Sequence, residues 1–278
     1  MRWMSVNKRG LLALGMMTLV GISSPGTTSP VQARSKAVSS MWQGSVGKYT
    51  VRIAPDKFQL VTPVSRDLVM PLSDQGDSEM LCTSERNIQG LSWVGPFLSF
   101  ESGRYWNCLG TAHPGAVTNY ETLNVETRKP VSLTDIFEDQ VLLKALLNDG
   151  VIKRHVPANM RFASSTHLMN YLNTQGTGQC EYYFSKDNLS RFAFHHIKNN
   201  QVAVRMGLSH GCEAARGNLT QLGFYLPIPP GLKSAFRQAS ARKEGFLMGR
   251  APKVTFQQKV NSPGFEEAVE KMLEDMNE

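Results

Sequence analysis

The sequence predicts an α+β fold, a mainly antiparallel sheet with helices packed on one face. Three observations carry that reading. Short runs rich in Val, Leu, Phe and Tyr fill the first third and are separated by Pro, Asp, Ser and Gly, the pattern of strands joined by turns. The middle carries two segments with apolar residues at helical spacing. Strand-like runs then return, and an order of strands, helices and strands suits helices gathered on one face of an antiparallel sheet.

Residues 1–33 read as a secretory signal peptide. Arg2, Lys8 and Arg9 precede an apolar run over 11–22, and Val31-Gln32-Ala33 offers small residues for cleavage after Ala33. The run is shorter than the roughly 20 residues of a spanning helix, so no membrane span is expected after cleavage. The chain from 34 to 278 is then expected to be periplasmic or secreted. It is long enough to bury one ordinary core. Residues 34–43 read as a polar leader, and 44–241 as the α+β domain.

Within that domain, 49–54, 58–62 and 67–71 read as strands. The pattern continues over 87–101, with Gly90 and Gly95-Pro96 as punctuation. Residues 119–126 alternate as a further strand before a turn at Arg128-Lys129-Pro130. Ser132 and Asp135 fit a capping box ahead of a helix over 138–148, with Gly150 as its stop. A second short helix is expected over 164–172. Strands follow at 180–184, 191–197, 201–206 and 222–227, with Asn199-Asn200 as a tight hairpin turn. Pro229-Pro230-Gly231 leads into a helix over 232–241. Residues 242–262 read as a basic, irregular linker carrying Arg242, Lys243, Arg250, Lys253 and Lys259. Residues 263–278 read as an amphipathic C-terminal helix, expected to bury Phe265, Ala268, Val269, Met272, Leu273 and Met276 against its own domain.

The formal charge is +7, and loss of Arg2, Lys8 and Arg9 leaves +4. The Lys and Arg residues are scattered, without the basic stripe and stacking aromatics of a nucleic-acid binder, so no nucleic-acid partner is expected. An even count of four cysteines in an oxidising compartment favours two disulfides. The expected pairs are Cys82 with Cys108 and Cys180 with Cys212, each bracketing neighbouring strands. A zinc site at Cys180, Cys212, His210 and His195 or His196 is the rival reading. It lacks the close C-x₂₋₄-C spacing of structural zinc, and no metal or other cofactor is expected.

Catalytic patterns are weak. Gly207-Leu-Ser209-His210-Gly211 matches G-x-S-x-G, yet only His210 follows the serine, and the motif needs a strand-turn-helix context. His195 and His196 are neighbours on a strand, where side chains alternate between faces, so one metal held by both is not expected. Glu121, Glu126, Asp135, Glu138 and Asp139 cluster in sequence, with a solvated turn and a helix start as their plain explanation. Two glycosylation sequons, at Asn188 and Asn218, mark expected surface loops.

The segment from Gly110-Thr-Ala-His113-Pro through Tyr120-Glu-Thr-Leu-Asn124-Val to Pro130-Val-Ser-Leu-Thr-Asp-Ile-Phe137 resembles a bacterial extracytoplasmic domain of unknown function. That domain forms the outer part of the lysozyme-sensing anti-sigma factor RsiV and the C-terminal part of a secreted peptidoglycan deacetylase. The likeness runs from about residue 92 to 232. It implies an α+β fold, an envelope location, and binding of a lysozyme-like protein or peptidoglycan rather than a reaction. The expected contact residues are His113, Asn119, Tyr120 and His210, on loops that a rigid sheet would present. A structural His113, donating a ring N–H to a backbone carbonyl, is the plain alternative. A wall-directed hydrolase and a purely structural periplasmic protein are the other functions consistent with the sequence.

Overall fold

The computed structural model describes residues 41–55, 57–63, 66–68, 81–111, 114–175, 182–210, 220–262 and 264–275. They form an α+β fold with antiparallel sheets. The first sheet is a meander of β1 (Trp42–Val46), β2 (Tyr49–Ala54), β3 (Lys57–Val61) and β4 (Arg66–Leu68). Two long strands, β5 (Cys82–Val94) and β6 (Phe97–Cys108), turn at Gly95-Pro96 and lead to β7 (Gly115–Asn124) and the short β8 (Lys129–Pro130). With β13 (Thr255–Asn261) they make a five-stranded sheet in the order β13-β5-β6-β7-β8. The third sheet holds β9 (Tyr182–Tyr183), β10 (Phe192–Lys198), β11 (Gln201–His210) and β12 (Thr220–Pro227).

Local signals act where the sequence places them. Asn199 and Asn200 both have positive φ, 49° and 57°, the turn that matches the twist of the β10–β11 hairpin. Ser132 and Asp135 form the capping box of a 3-10 turn over Leu133–Asp135. Helix α1 (Asp139–Leu147) starts at Glu138, and Ser164 caps α3 (Ser165–Thr174) by accepting the His167 N–H at 2.9 Å. Gly150 does not stop the chain: Asp149 accepts the N–H groups of Val151 and Ile152 and starts a further short helix, α2 (Ile152–His155).

Two cores result. The meander lays Val51, Ile53, Phe58 and Leu60 against Ile88, Leu98, Phe100 and Phe256 on one face of the five-stranded sheet. Helices α1, α3 and α4 (Lys233–Ser240) pack on the other core, against Phe192, Phe194, Val202, Val204, Leu226 and their neighbours in the third sheet. Strand β10 is the outer strand of that sheet, so its outward backbone groups need partners. Buried hydroxyls supply them: Thr122 Oγ1 donates to Phe192 O at 2.6 Å and Ser92 Oγ accepts the Phe194 N–H at 3.0 Å.

Residues 242–262 are not an irregular linker. Phe246, Leu247 and Val254 are buried, and Trp93 and Phe246 exchange two backbone hydrogen bonds at 2.7 and 3.0 Å. β13 then pairs with β5 over seven residues. Strand β1 likewise begins inside the expected leader, anchored by the Trp42 ring standing edge-on to Phe246 at 4.8 Å. The final helix, α5 (Phe265–Asp275), buries its stripe only in part: Met272 and Leu273 are 45% and 51% exposed. Among the described residues no helix is long and apolar enough to cross a membrane.

Gly245 has φ +73°, and a Cβ there would run into the Trp93 carbonyl oxygen. Gly245→Ala combines left-handed strain with a backbone clash, and is expected to destabilise the protein by about 3 kcal/mol. Urea unfolding should show a lower midpoint at unchanged slope.

Candidate functional site

β7 is the signature segment turned into a strand, and two depressions border it. The larger, about 640 Å³, lies across the end of the five-stranded sheet and is lined by Asn87, Gly103, Tyr105, Thr118, Gln257 and Gln258 among others. Its depth follows from the register, because Gln257, Asn87, Gly103 and Thr118 form one row across four strands. Gly103 contributes no side chain, and Asn87 leans its amide over the gap. Tyr105 stands in the next row on the same face and is 46% exposed. Arg104 stacks over Trp106 at 5.5 Å. Gln258, two residues from Phe256, turns its side chain to the meander side instead, and its Oε1 is buried without a hydrogen-bond partner among the described residues.

The next row on that face, two residues along each strand, pairs Glu101 with Tyr120. Tyr120 is fully buried against Leu91 and Ala193, with a hydroxyl that has no partner among the described residues. Burial raises its pKa first, and the Glu101 carboxylate raises it further against the opposing pull of Arg205, so the phenol stays a donor. Burial also raises Glu101. The folded state therefore holds the Glu101 proton more tightly than the unfolded chain does. Stability falls as pH rises from the ordinary carboxylate range near about 4.3. Glu101→Gln should leave stability unchanged below that range and increase it at pH 7, a difference that thermal unfolding at the two pH values would register.

Asn119 and Tyr120 do not share a face. Asn119 sits in the row of buried Ser102, on the side facing the meander. Both residues nevertheless border the second depression, about 480 Å³, together with Glu121, Arg128, Asp187 and Arg191. His113 lies outside the described residues, one position before Pro114, which lines the larger groove. His210 belongs to the last pair of β11 with β9, opposite Tyr182.

The disulfide joins Cys82 to Cys108, which are direct cross-strand partners. The second expected pair, Cys180 and Cys212, lies outside the described residues. Ser209 sits in extended β11, opposite Tyr183, rather than on a sharp turn, so G-x-S-x-G does not form a nucleophile elbow here. Three of the sequence-clustered acids have structural partners: Glu121 accepts the Ser102 hydroxyl at 2.7 Å, Asp135 closes the capping box, and Asp139 accepts the Ser165 N–H. Asn188 is fully buried, its amide bonded to Ser185 N and Gly207 O, so this sequon is not a surface loop. Asn218 lies outside the described residues.

His195 and His196 overturn the simple alternation. The β10–β11 register skips His195, a β-bulge, and both imidazoles fall on the same side with their Nδ1 atoms 2.8 Å apart. The signal was present in the spacing. Phe194 and Ile197 pair with Val204 and Val202, whose side chains both face the helix-covered core, and three positions cannot separate two same-face residues without an extra one.

Scans against family models and curated proteins return no match for this chain.

Proposed function

We propose that this chain is an exported, non-enzymatic binding module of the bacterial cell envelope, and that the groove beside β7 takes a saccharide strand of the cell wall. The groove itself carries the reading. Its amides, its Thr118 hydroxyl and the exposed Tyr105 ring offer the donors, acceptors and aromatic surface that sugar hydroxyls and ring faces match. The Cys82–Cys108 disulfide fits an oxidising compartment. A lysozyme-like protein is the second candidate ligand, favoured by the resemblance of the β7 segment to the lysozyme-sensing domain.

Titration calorimetry of the oxidised protein with soluble peptidoglycan fragments and with lysozyme tests the proposal. Saturable binding of fragments, weakened about tenfold by Tyr105→Ala through loss of the stacking surface, is the expected result. Saturable binding of lysozyme alone would favour the second ligand. Binding of neither would leave a structural role, and turnover of the fragments would require a catalytic one.

A further inference from the structure

The face of the third sheet turned away from α1, α3 and α4, where the 3-10 turn Met248–Arg250 packs beside His195, carries a second cluster of chemistry, away from the groove. Across β10, β11 and β12, one row runs His196, Ala203, Tyr225 and the next runs Ala193, Arg205, Gly223. The two rows are two residues apart on β11 and on β12, so their side chains share a face. Ala203 is small enough for His196 and Tyr225 to meet over it, with His196 Nε2 and Tyr225 Oη 3.0 Å apart. Gly223 has no side chain, and the Arg205 guanidinium lies in the space its Cβ would fill. The bulge adds His195 to the same side. Among the described residues Arg205 forms no salt bridge.

We infer that Arg205, His195, His196 and Tyr225 form a binding subsite for an oxyanion, a sulfate- or phosphate-type group. The inference stands independently of the groove reading. Two imidazoles at 2.8 Å could instead hold a metal cation, but Arg205 places a positive charge beside them and makes the spot hospitable to an anion. Several donors approaching from three strands suit a tetrahedral group better than a planar carboxylate. Burial, Arg205 and His196, in that order, lower the pKa of His195. A bound anion reverses that pull and favours the imidazolium. Of the other charged groups, Glu101 lies beside Tyr120 on the adjoining sheet with its pKa raised by burial, and Arg250 donates to Ser240 O at 3.0 Å. Binding should therefore tighten as pH falls.

Sulfate stays the dianion throughout pH 6 to 8 and is the cleaner probe. Histidine Cε1 signals in NMR titrations with sulfate should shift saturably for His195 and His196, with affinity about tenfold higher at pH 6 than at pH 8. Arg205→Gln should abolish the response. Gly223→Ala should weaken it at least about fivefold, since the new methyl displaces the guanidinium while the charge and an exposed strand position are retained. The same variants tested with inorganic phosphate and with phosphatidylglycerol vesicles distinguish a free anion from a lipid headgroup, and Arg205-dependent binding of either supports the subsite. Unmoved histidine signals, pH-independent binding, equal binding by both variants, or saturable Zn²⁺ binding in place of sulfate would overturn it.

Discussion

Phe194→Ala is expected to cost about 4 kcal/mol of stability, among the largest effects of any single truncation in the chain. Phe194 is fully buried where β10 meets the helices. Its ring stands edge-on to Phe236 of α4 at 4.9 Å, to Phe192 at 5.4 Å and to Phe137 at 6.3 Å. Truncation leaves a cavity bordered by three rings from separate elements, and such rings cannot all move inward together. Against a typical total of about 5–15 kcal/mol, the variant should unfold at markedly lower urea concentration. A loss under about 1 kcal/mol would mean that this core is not packed as described. Phe194 also precedes the bulge, so the histidine pair should lose its fixed geometry in the same variant. The loss of the common shift response of His195 and His196 would report it.

The second large effect is expected from the disulfide. Cys82 and Cys108 close a loop with a sequence separation of 26 residues, and the double variant Cys82→Ser/Cys108→Ser should lose about 3 kcal/mol through the greater freedom of its unfolded chain. The bond lies at the end of the β5–β6 pair, a few residues from Arg104 and Tyr105 in the groove wall. The same end is fastened to β13: Ser262 Oγ accepts the Cys82 N–H and its backbone N–H donates to Cys82 O at 2.8 Å. Removal of the disulfide should therefore fray the groove before the helical core. Hydrogen exchange should accelerate in residues 82–88 and 102–108 while that of α1 and α3 changes little. Substitution is a cleaner test than a reductant, because it changes Cys82 and Cys108 alone.

The legible parts of the fold are those fixed by neighbours in sequence. Asn199-Asn200, the Ser132–Asp135 box and the Ser164 cap each complete their hydrogen bonds or dihedrals within a few residues, so residue type alone specifies them. β13 was not legible because its partner β5 is about 170 residues away, and its mixed run of Gln and Lys takes its order from that partner rather than from propensity. β1 was missed for a related reason, since Trp42 is held by Phe246 from the far end of the chain. Of the expected contact residues, Tyr120 belongs to the row adjoining the groove, but alternation turns Asn119 to the other face. Glu101 and Arg205 carried no sequence signal, because their significance comes from burial and from the strands set beside them.

The most direct test of the central proposal is amide hydrogen exchange on the oxidised protein with and without soluble peptidoglycan fragments. Ligand lying in the groove predicts slowed exchange in residues 115–121 of β7 and in the adjoining ends of β5, β6 and β13, with the third sheet unchanged. Protection confined to other elements, or none at saturating fragment, would contradict the assignment of the groove as the binding site.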